Sequence, residues 1–191
     1  MIGVDLGTTK SVACRLADGQ PHVVSDRCGR RTMPSVVMVE ADQHLHVGWD
    51  AVQHPARYSS QSFTVSSIKR LMGRVGESRF GSMRVYPQEI SALILGRLRL
   101  EVEGVLGSSI SDAVIAVPAH FDINQRAATI QAAAAAGLRC RYLLNEATAA
   151  VLAWHHREKR EAKVVVVDFG GGTLDVSVAE VGEGVVEVLA N

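Results

Sequence analysis

The sequence predicts an α/β protein in which a mixed sheet flanked by helices is followed by the opening strands of a second unit of the same plan. Three observations predict it. The first 25 residues read as short apolar strands separated by turn chemistry. Residues 87–156 alternate helical periodicity with short apolar runs. At residue 164 the opening pattern begins again.

In the opening segment, Val4 and Asp5 end an apolar strand, Gly7-Thr8-Thr9 supply a turn, and Lys10 to Leu16 resume as a strand. Ala17-Asp18-Gly19-Gln20 make a second turn and Pro21 to Ser25 a third strand, completing an antiparallel meander. Pro34 to Glu40 and His44 to Val47 read as two more strands about an Ala41-Asp42-Gln43 turn. From about Gly48 to Met83 the chain is more polar, with Ser59-Ser60, Ser66-Ser67 and several arginines, and is expected to form short helices. Residues 34–86 are together expected to be a small subdomain inserted into a first lobe of residues 1–160.

From Pro87 the period becomes helical. Ile90, Leu93, Ile94, Leu98, Val102 and Val105 share one face, Pro87 suits the first turn, and Gly107 closes the helix. Ala113 to Val117 is a continuous apolar run, expected to be a strand buried on both faces. Asp122 is placed to cap a helix that stops at Gly137. Leu138 to Leu144 is a further strand, and Asn145 is expected to cap the helix that carries Leu152 and Trp154. The charged run Arg157 to Lys163 marks a boundary. Beyond it come Val164 to Asp168, the turn Gly170-Gly171-Gly172, then Thr173 to Val181 and Val185 to Leu189. Residues 161–191 are thus expected to be the first three strands of a second lobe, cut short at Asn191.

Composition narrows the function. With 47% hydrophobic and 21% charged residues, the 191-residue chain suits a soluble globular domain. Twenty basic residues balance twenty acidic ones, so no basic field points to nucleic acid or a membrane surface. No apolar run is long enough to span a bilayer, and Met1-Ile2-Gly3-Val4-Asp5 lacks a basic leader, so a cytoplasmic location is expected. Cys14, Cys28 and Cys140 form no C-x-x-C pair, and Cys14 and Cys140 are expected to be buried thiols. The adjacent His155-His156 point to different helix faces, which disfavours a metal site there.

The repeat carries the chemistry. DLGTT at Asp5–Thr9 and DFGGGT at Asp168–Thr173 each place an aspartate at a strand end, just before a Gly/Thr turn. Glycine permits close backbone approach and positive φ, so such a turn can aim N–H groups at a phosphate. Thr8, Thr9 and Thr173 add hydroxyl donors. An aspartate beside a phosphate is repelled unless a cation lies between them, and Mg²⁺ takes one or two protein carboxylates while keeping several waters. Two matched turns, one in each repeat, imply two lobes facing one another across a phosphate-binding cleft.

DLGTTKS, SIKRLMG, VIAVPAHFDINQR, LLNEATAA and VVVVDFGGGTLDVSV resemble, in order and spacing over essentially the whole chain, the ATPase domain of DnaK-type heat-shock chaperones. The short connection from Gly73 to Pro87 resembles the HscC-like branch. The resemblance implies an actin-like ATPase (ribonuclease-H-like) lobe with a truncated second lobe. It implies ATP or ADP and Mg²⁺ as cofactors, with K⁺ as a further cation. Gly7, Thr8, Thr9 and Lys10 would form the first phosphate loop, and Gly170, Gly171, Gly172 and Thr173 the second. Asp5 and Asp168 would hold Mg²⁺ through water, Lys69 would reach the γ-phosphate and attacking water, Glu146 would position water or metal, and Thr173 would contact the γ-phosphate. Pro118 and Arg126 belong to the segment that relays nucleotide state in that family.

The chain departs from the family at Lys10 (usually Asn), His120 (usually Tyr) and Ala147 (usually Pro), the last two in the signalling region. The implied partners are unfolded polypeptide clients and a J-domain co-chaperone. Because the family's second lobe supplies most adenine and ribose contacts, residues 1–191 alone are expected to bind nucleotide at millimolar level or weaker and not to turn over. The three final strands are expected to lack second-lobe helices to cover them, to present open sheet edges, and to stay mobile, dock elsewhere or pair with a second chain through exposed strands. Two other readings stay open from the residues: a sugar or acetate kinase of the same superfamily, and a naturally truncated, non-catalytic partner-binding module.

Overall fold

The computed structural model describes residues 1–58, 62–74, 76–80, 83–182 and 185–190, so the Ser59-Ser60 pair lies outside the described residues. The meander forms as β1 (Ile2–Asp5), β2 (Lys10–Ala17) and β3 (Gln20–Val23), with Asp5 opposite Val12 and Ala17 opposite Gln20. Asp18 and Gly19 both take positive φ, 52° and 73°, which matches the right-handed twist of the strands they join. β4 (Met33–Pro34) pairs with the start of β2.

β5 (Val36–Val39), β6 (Leu45–Val47) and β7 (Phe63–Ser66) make a three-stranded antiparallel sheet with β5 in the middle. α1 (Trp49–Gln53) and a 3₁₀ turn at Pro55–Tyr58 lie between β6 and β7, and a second 3₁₀ turn spans Ile68–Leu71. β8 (Ser78–Phe80) and β9 (Met83–Val85) form a two-stranded ribbon. The stretch expected to hold only short helices therefore holds three strands as well. These strands are only three or four residues long, too short for an alternation of apolar side chains to stand out from the polar stretch around them. All four residues of β5 are buried, because Val37 joins the main core while Val36 and Met38 pack with Ala51 of α1.

α2 (Pro87–Leu106) starts where expected: Glu89 accepts the Tyr86 N–H at 2.8 Å, and Gly107 ends the helix at φ 66°. Ile90, Ile94, Leu98 and Val102 are buried, while Leu95 rather than Val105 completes the stripe because α2 is covered both by the sheet and by α3 (Ile123–Ala135). β10 (Asp112–Val117) and β11 (Arg139–Asn145) run parallel to β1, giving the order β11-β10-β1-β2-β3. Ala113, Ile115 and Val117 are fully buried, but Val114 and Ala116 only half so. The expectation of burial on both faces is corrected, because a cleft opens beside α4 (Glu146–Glu158) on that side.

α4 runs into the charged segment and ends at Lys159, which takes positive φ; only residues 159–161 link it to β12 (Ala162–Phe169), β13 (Leu174–Gly182) and β14 (Val185–Ala190). These strands form a separate antiparallel sheet in the order β12-β13-β14. One face does have a helix over it: Val151 of α4 packs with Ala179 and Val181, with Trp154, Val164 and Val166 around them. The helix over these strands comes from the chain before them, and α4 contacts both sheets. The other face is open, with Val165 65%, Val167 62% and Phe169 84% exposed. Cys14 and Cys140 are half-buried, not buried, and burial raises both thiols above their ordinary pKa. Among the described residues, no helix is long and apolar enough to cross a membrane.

Candidate functional site

The two aspartate–glycine hairpins have the same construction. Asp5 lies opposite Val12 and Asp168 opposite Asp175, in each case seven residues further on. In the second hairpin the Gly170 N–H donates to the Thr173 carbonyl at 3.0 Å. In the first, a Cβ on Gly7 would collide with the Lys10 carbonyl, so the chain folds back just as tightly. The tips then meet across the cleft. A Cβ on Gly171 would run into Thr9 Oγ1, and one on Gly172 would lie 2.9 Å from Arg70 Nε and 3.1 Å from Thr8 Cγ2. None of Gly7, Gly170, Gly171 or Gly172 has positive φ, and it is at Gly7 and Gly171 that the close approach of neighbouring atoms excludes a side chain.

The first loop is braced from behind. Ser35, buried between β4 and β5, donates from Oγ to the Gly7 carbonyl at 2.8 Å and from its amide to the Thr9 carbonyl at 2.9 Å. Its hydroxyl also meets that of buried Ser11 at 2.9 Å. The signal for this brace in the sequence is a lone serine in the otherwise apolar run from Pro34 to Val39.

Between the hairpins lies a cleft of about 630 Å³. Asp5, Gly7, Thr8, Thr9 and Lys10 line one wall, and Asp168, Gly170, Gly171, Gly172 and Thr173 the other. Lys69 and Glu146 lie at the cleft as well, so the residues expected to bind phosphate, Mg²⁺ or water are brought to one place, whereas Arg126 and Ala147 do not line it. Lys69 comes from the 3₁₀ turn after Ser67 (φ 57°), and its side chain is 10% exposed. Its ammonium donates to Glu146 Oε1 at 2.5 Å. Glu146 is the first residue of α4, where the helix dipole favours an anion.

The charges are unbalanced. Asp5, Asp168 and Glu146 face one Lys69, three negative charges against one positive. Asp5 keeps an open edge on the cleft, yet burial raises its carboxyl above the ordinary carboxylate range, with Asp168 adding to the rise and Lys69 opposing it. Glu146 is raised too, by burial first, against Lys69 and with Asp5 and Asp168 contributing. Clustered hard oxygen donors with surplus negative charge fit a divalent cation such as Mg²⁺. Exposed Lys10 and Arg70 line the same cleft and offer charge to an anion beside that cation.

Two further groups join the two halves, and a third braces the first half beside the cleft. Arg70 Nη2 donates to the carbonyls of Gly171 and Gly172 at 3.3 and 3.2 Å. His120 Nδ1 lies 3.4 Å from Asp175 Oδ1. Arg126 donates to the Phe121 carbonyl at 3.0 Å and to Asn145 Oδ1 at 2.9 Å, which ties the β10–α3 loop to the start of α4. Asn145 occupies the N-cap position of α4, but its side chain does not cap, because its oxygen is taken by Arg126. Asp122 does cap α3, accepting the Gln125 N–H at 2.8 Å. Pro118 lines the cleft, and Ala147 lines a neighbouring hollow with His120 and Asp175.

The family described as Hsp70 protein matches residues 1–191. A match over the whole chain sets aside the sugar or acetate kinase reading, and it agrees with a mixed sheet flanked by helices beside a second sheet. The chain belongs to the Hsp70 protein family, and its α/β fold is part of the actin-like nucleotide-binding domain of a chaperone of that family.

Proposed function

We propose that the cleft holds the phosphate chain of ATP or ADP and, in the full-length protein, supports transfer of the terminal phosphoryl group to water. The abutting hairpin tips around a lysine-bridged carboxylate cluster are the observation that supports this reading. Phosphoryl transfer asks a protein for positioning and charge neutralisation, with little covalent work. The backbone of Gly7 to Lys10 and of Gly170 to Thr173 cradles phosphate oxygens from opposite walls. Lys69, fixed by Glu146, offers charge to the terminal phosphate, and Glu146 orients the attacking water. Thr173 donates its hydroxyl to the γ-phosphate. Asp5 and Asp168 would hold Mg²⁺ through water, and when bound the ion neutralises phosphate charge. K⁺ is a second cation that the same oxygen donors suit.

The finer reading follows the sequence. The protein is a DnaK-type chaperone of the HscC-like branch, from the short Gly73–Pro87 connection. It acts in the cytoplasm with a J-domain co-chaperone, and its nucleotide state governs binding of unfolded polypeptide. Residues 1–160 are the first lobe, with residues 34–86 inserted, and residues 161–191 begin the second lobe. By themselves the 191 residues bind nucleotide weakly, and two copies pair through the exposed edges of the β12–β14 sheet. The test is phosphate release by the full-length protein: Lys69→Ala lowers the rate about 10²–10³-fold. An unchanged rate in both Lys69→Ala and Glu146→Gln overturns the roles assigned to this pair.

A further inference from the structure

We infer that Glu40, His46 and His54 form a Zn²⁺ site that clips the β5–β6 hairpin to the C-terminal end of α1. None of the three lines the nucleotide cleft. Alternation along the strands builds the site. Met38 of β5 lies opposite His46 of β6, and Glu40, two residues beyond Met38, falls on the same face. Met38 packs on Ala51 of α1, so this is the face that α1 covers. The chain leaving α1 then places its C-cap residue, His54, over the same spot.

The ligand atoms already converge. Glu40 Oε1 is 2.6 Å from His46 Nε2 and 3.6 Å from His54 Nε2, and one ligand atom from each of the three residues lies within 4.8 Å of the others. The two imidazole rings are 4.0 Å apart between centroids and tilted by 32°. A tetrahedral ion with bonds of about 2.0–2.1 Å holds its ligand atoms roughly 3.3 Å apart. Side-chain adjustment alone spans that difference, since one contact opens and the other closes. The side chains are 22%, 28% and 31% exposed for His46, Glu40 and His54, sheltered yet open enough for a water as fourth ligand. Two imidazoles and one carboxylate suit Zn²⁺ and disfavour Ca²⁺ or Mg²⁺.

Binding displaces what now holds the cluster. The Glu40 oxygen accepts from His46 in the ion-free arrangement, and the ion replaces that proton. The Ala56 N–H donates to His54 Nδ1 at a long 3.3 Å, and coordination through Nε2 ends this contact because the ring proton moves to Nδ1. The pattern E-x₅-H-x₇-H lacks the i, i+4 spacing of a helical ligand pair, so it is invisible until the hairpin and α1 are assembled.

The experiment is titration of the chain with Zn²⁺ and with Co²⁺ as its spectroscopic stand-in, in excess Mg²⁺ to occupy the cleft carboxylates. One equivalent of Zn²⁺ should bind and raise the melting temperature, with reversal by EDTA. Binding should be lost in His46→Gln and in His54→Gln and kept in Asp5→Asn. The Co²⁺ spectrum of the unsubstituted chain, which needs no variant, should show tetrahedral visible bands without thiolate charge transfer. A thiolate band would place the ion on cysteine, and loss in Asp5→Asn would place it in the nucleotide cleft; either overturns the proposal. So does a folded chain that binds no Zn²⁺, or one whose binding survives both histidine substitutions.

Discussion

The two aspartate–glycine hairpins are near copies, yet the sheets that carry them are buried to opposite degrees. Ile2 and Val4 of β1 are 2% and 4% exposed, whereas Val165 and Val167 of β12 project into solvent beside Phe169. β1 lies between two other strands, with α2 and α3 over its apolar side chains, and α4 lies toward the opposite face of the same sheet. β12 is an edge strand of a three-stranded sheet that, among the described residues, only α4 covers. The tips nevertheless keep the same seven-residue register and meet across one cleft. Turn chemistry and strand pairing thus set the site's geometry locally. The stability beneath each half depends on what packs against its sheet.

That contrast is sharpest in core substitutions. Ile115→Ala, in the fully buried β10, should cost about 2–5 kcal/mol, whereas Val167→Ala should stay within about 0.5 kcal/mol by denaturant unfolding. A loss above about 2 kcal/mol at Val167 would show that the open face is covered in solution. Light scattering would then tell whether a second copy covers it.

A smaller effect comes from the carboxylates that the two halves share. Asp5 and Glu146 are raised above their ordinary range, so each favours the folded state when protonated. Their contribution is fully present below the ordinary carboxylate pKa and is lost as pH rises through the raised values. Without divalent cation, stability should therefore decline over that window, and Asp5→Asn should flatten the decline. Mg²⁺ should restore stability to the unsubstituted chain and less so to Asp5→Asn. Identical pH slopes for the two chains would contradict the electrostatic account.

The smallest effect should come from His120→Ala. The His120–Asp175 contact is largely exposed, so its loss should change global stability by about 0–1 kcal/mol. Hydrogen exchange should still quicken in β13, with β1 unaffected. Equal quickening in both strands would mean that the two sheets open as one unit.

Much of this was legible in the sequence, because it rested on local signals. The meander, α2 with its Pro87 start and Gly107 stop, and the repeated hairpin follow from turn residues and apolar period. The cleft residues follow from the repeat and from the chaperone-like segments around Lys69 and Glu146. What was not legible depends on partners distant in the chain. β7, β8 and β9 are too short to declare themselves, and they form by pairing. Asn145 gives up its capping role to an arginine from α3. Ser35 braces Gly7 across 28 residues of chain. The Glu40–His46–His54 cluster needs both a hairpin and a helix end to exist.

The central claim is that two abutting hairpin tips make one Mg²⁺-dependent phosphate site. Calorimetric titration with Mg²⁺ and inorganic pyrophosphate tests it most directly, because that probe needs no nucleoside pocket. The account predicts saturable binding that disappears with EDTA and in Gly171→Ala, where the added Cβ would drive against Thr9. Binding that persists in EDTA or in Gly171→Ala, or no binding at all by the unsubstituted chain, would contradict it.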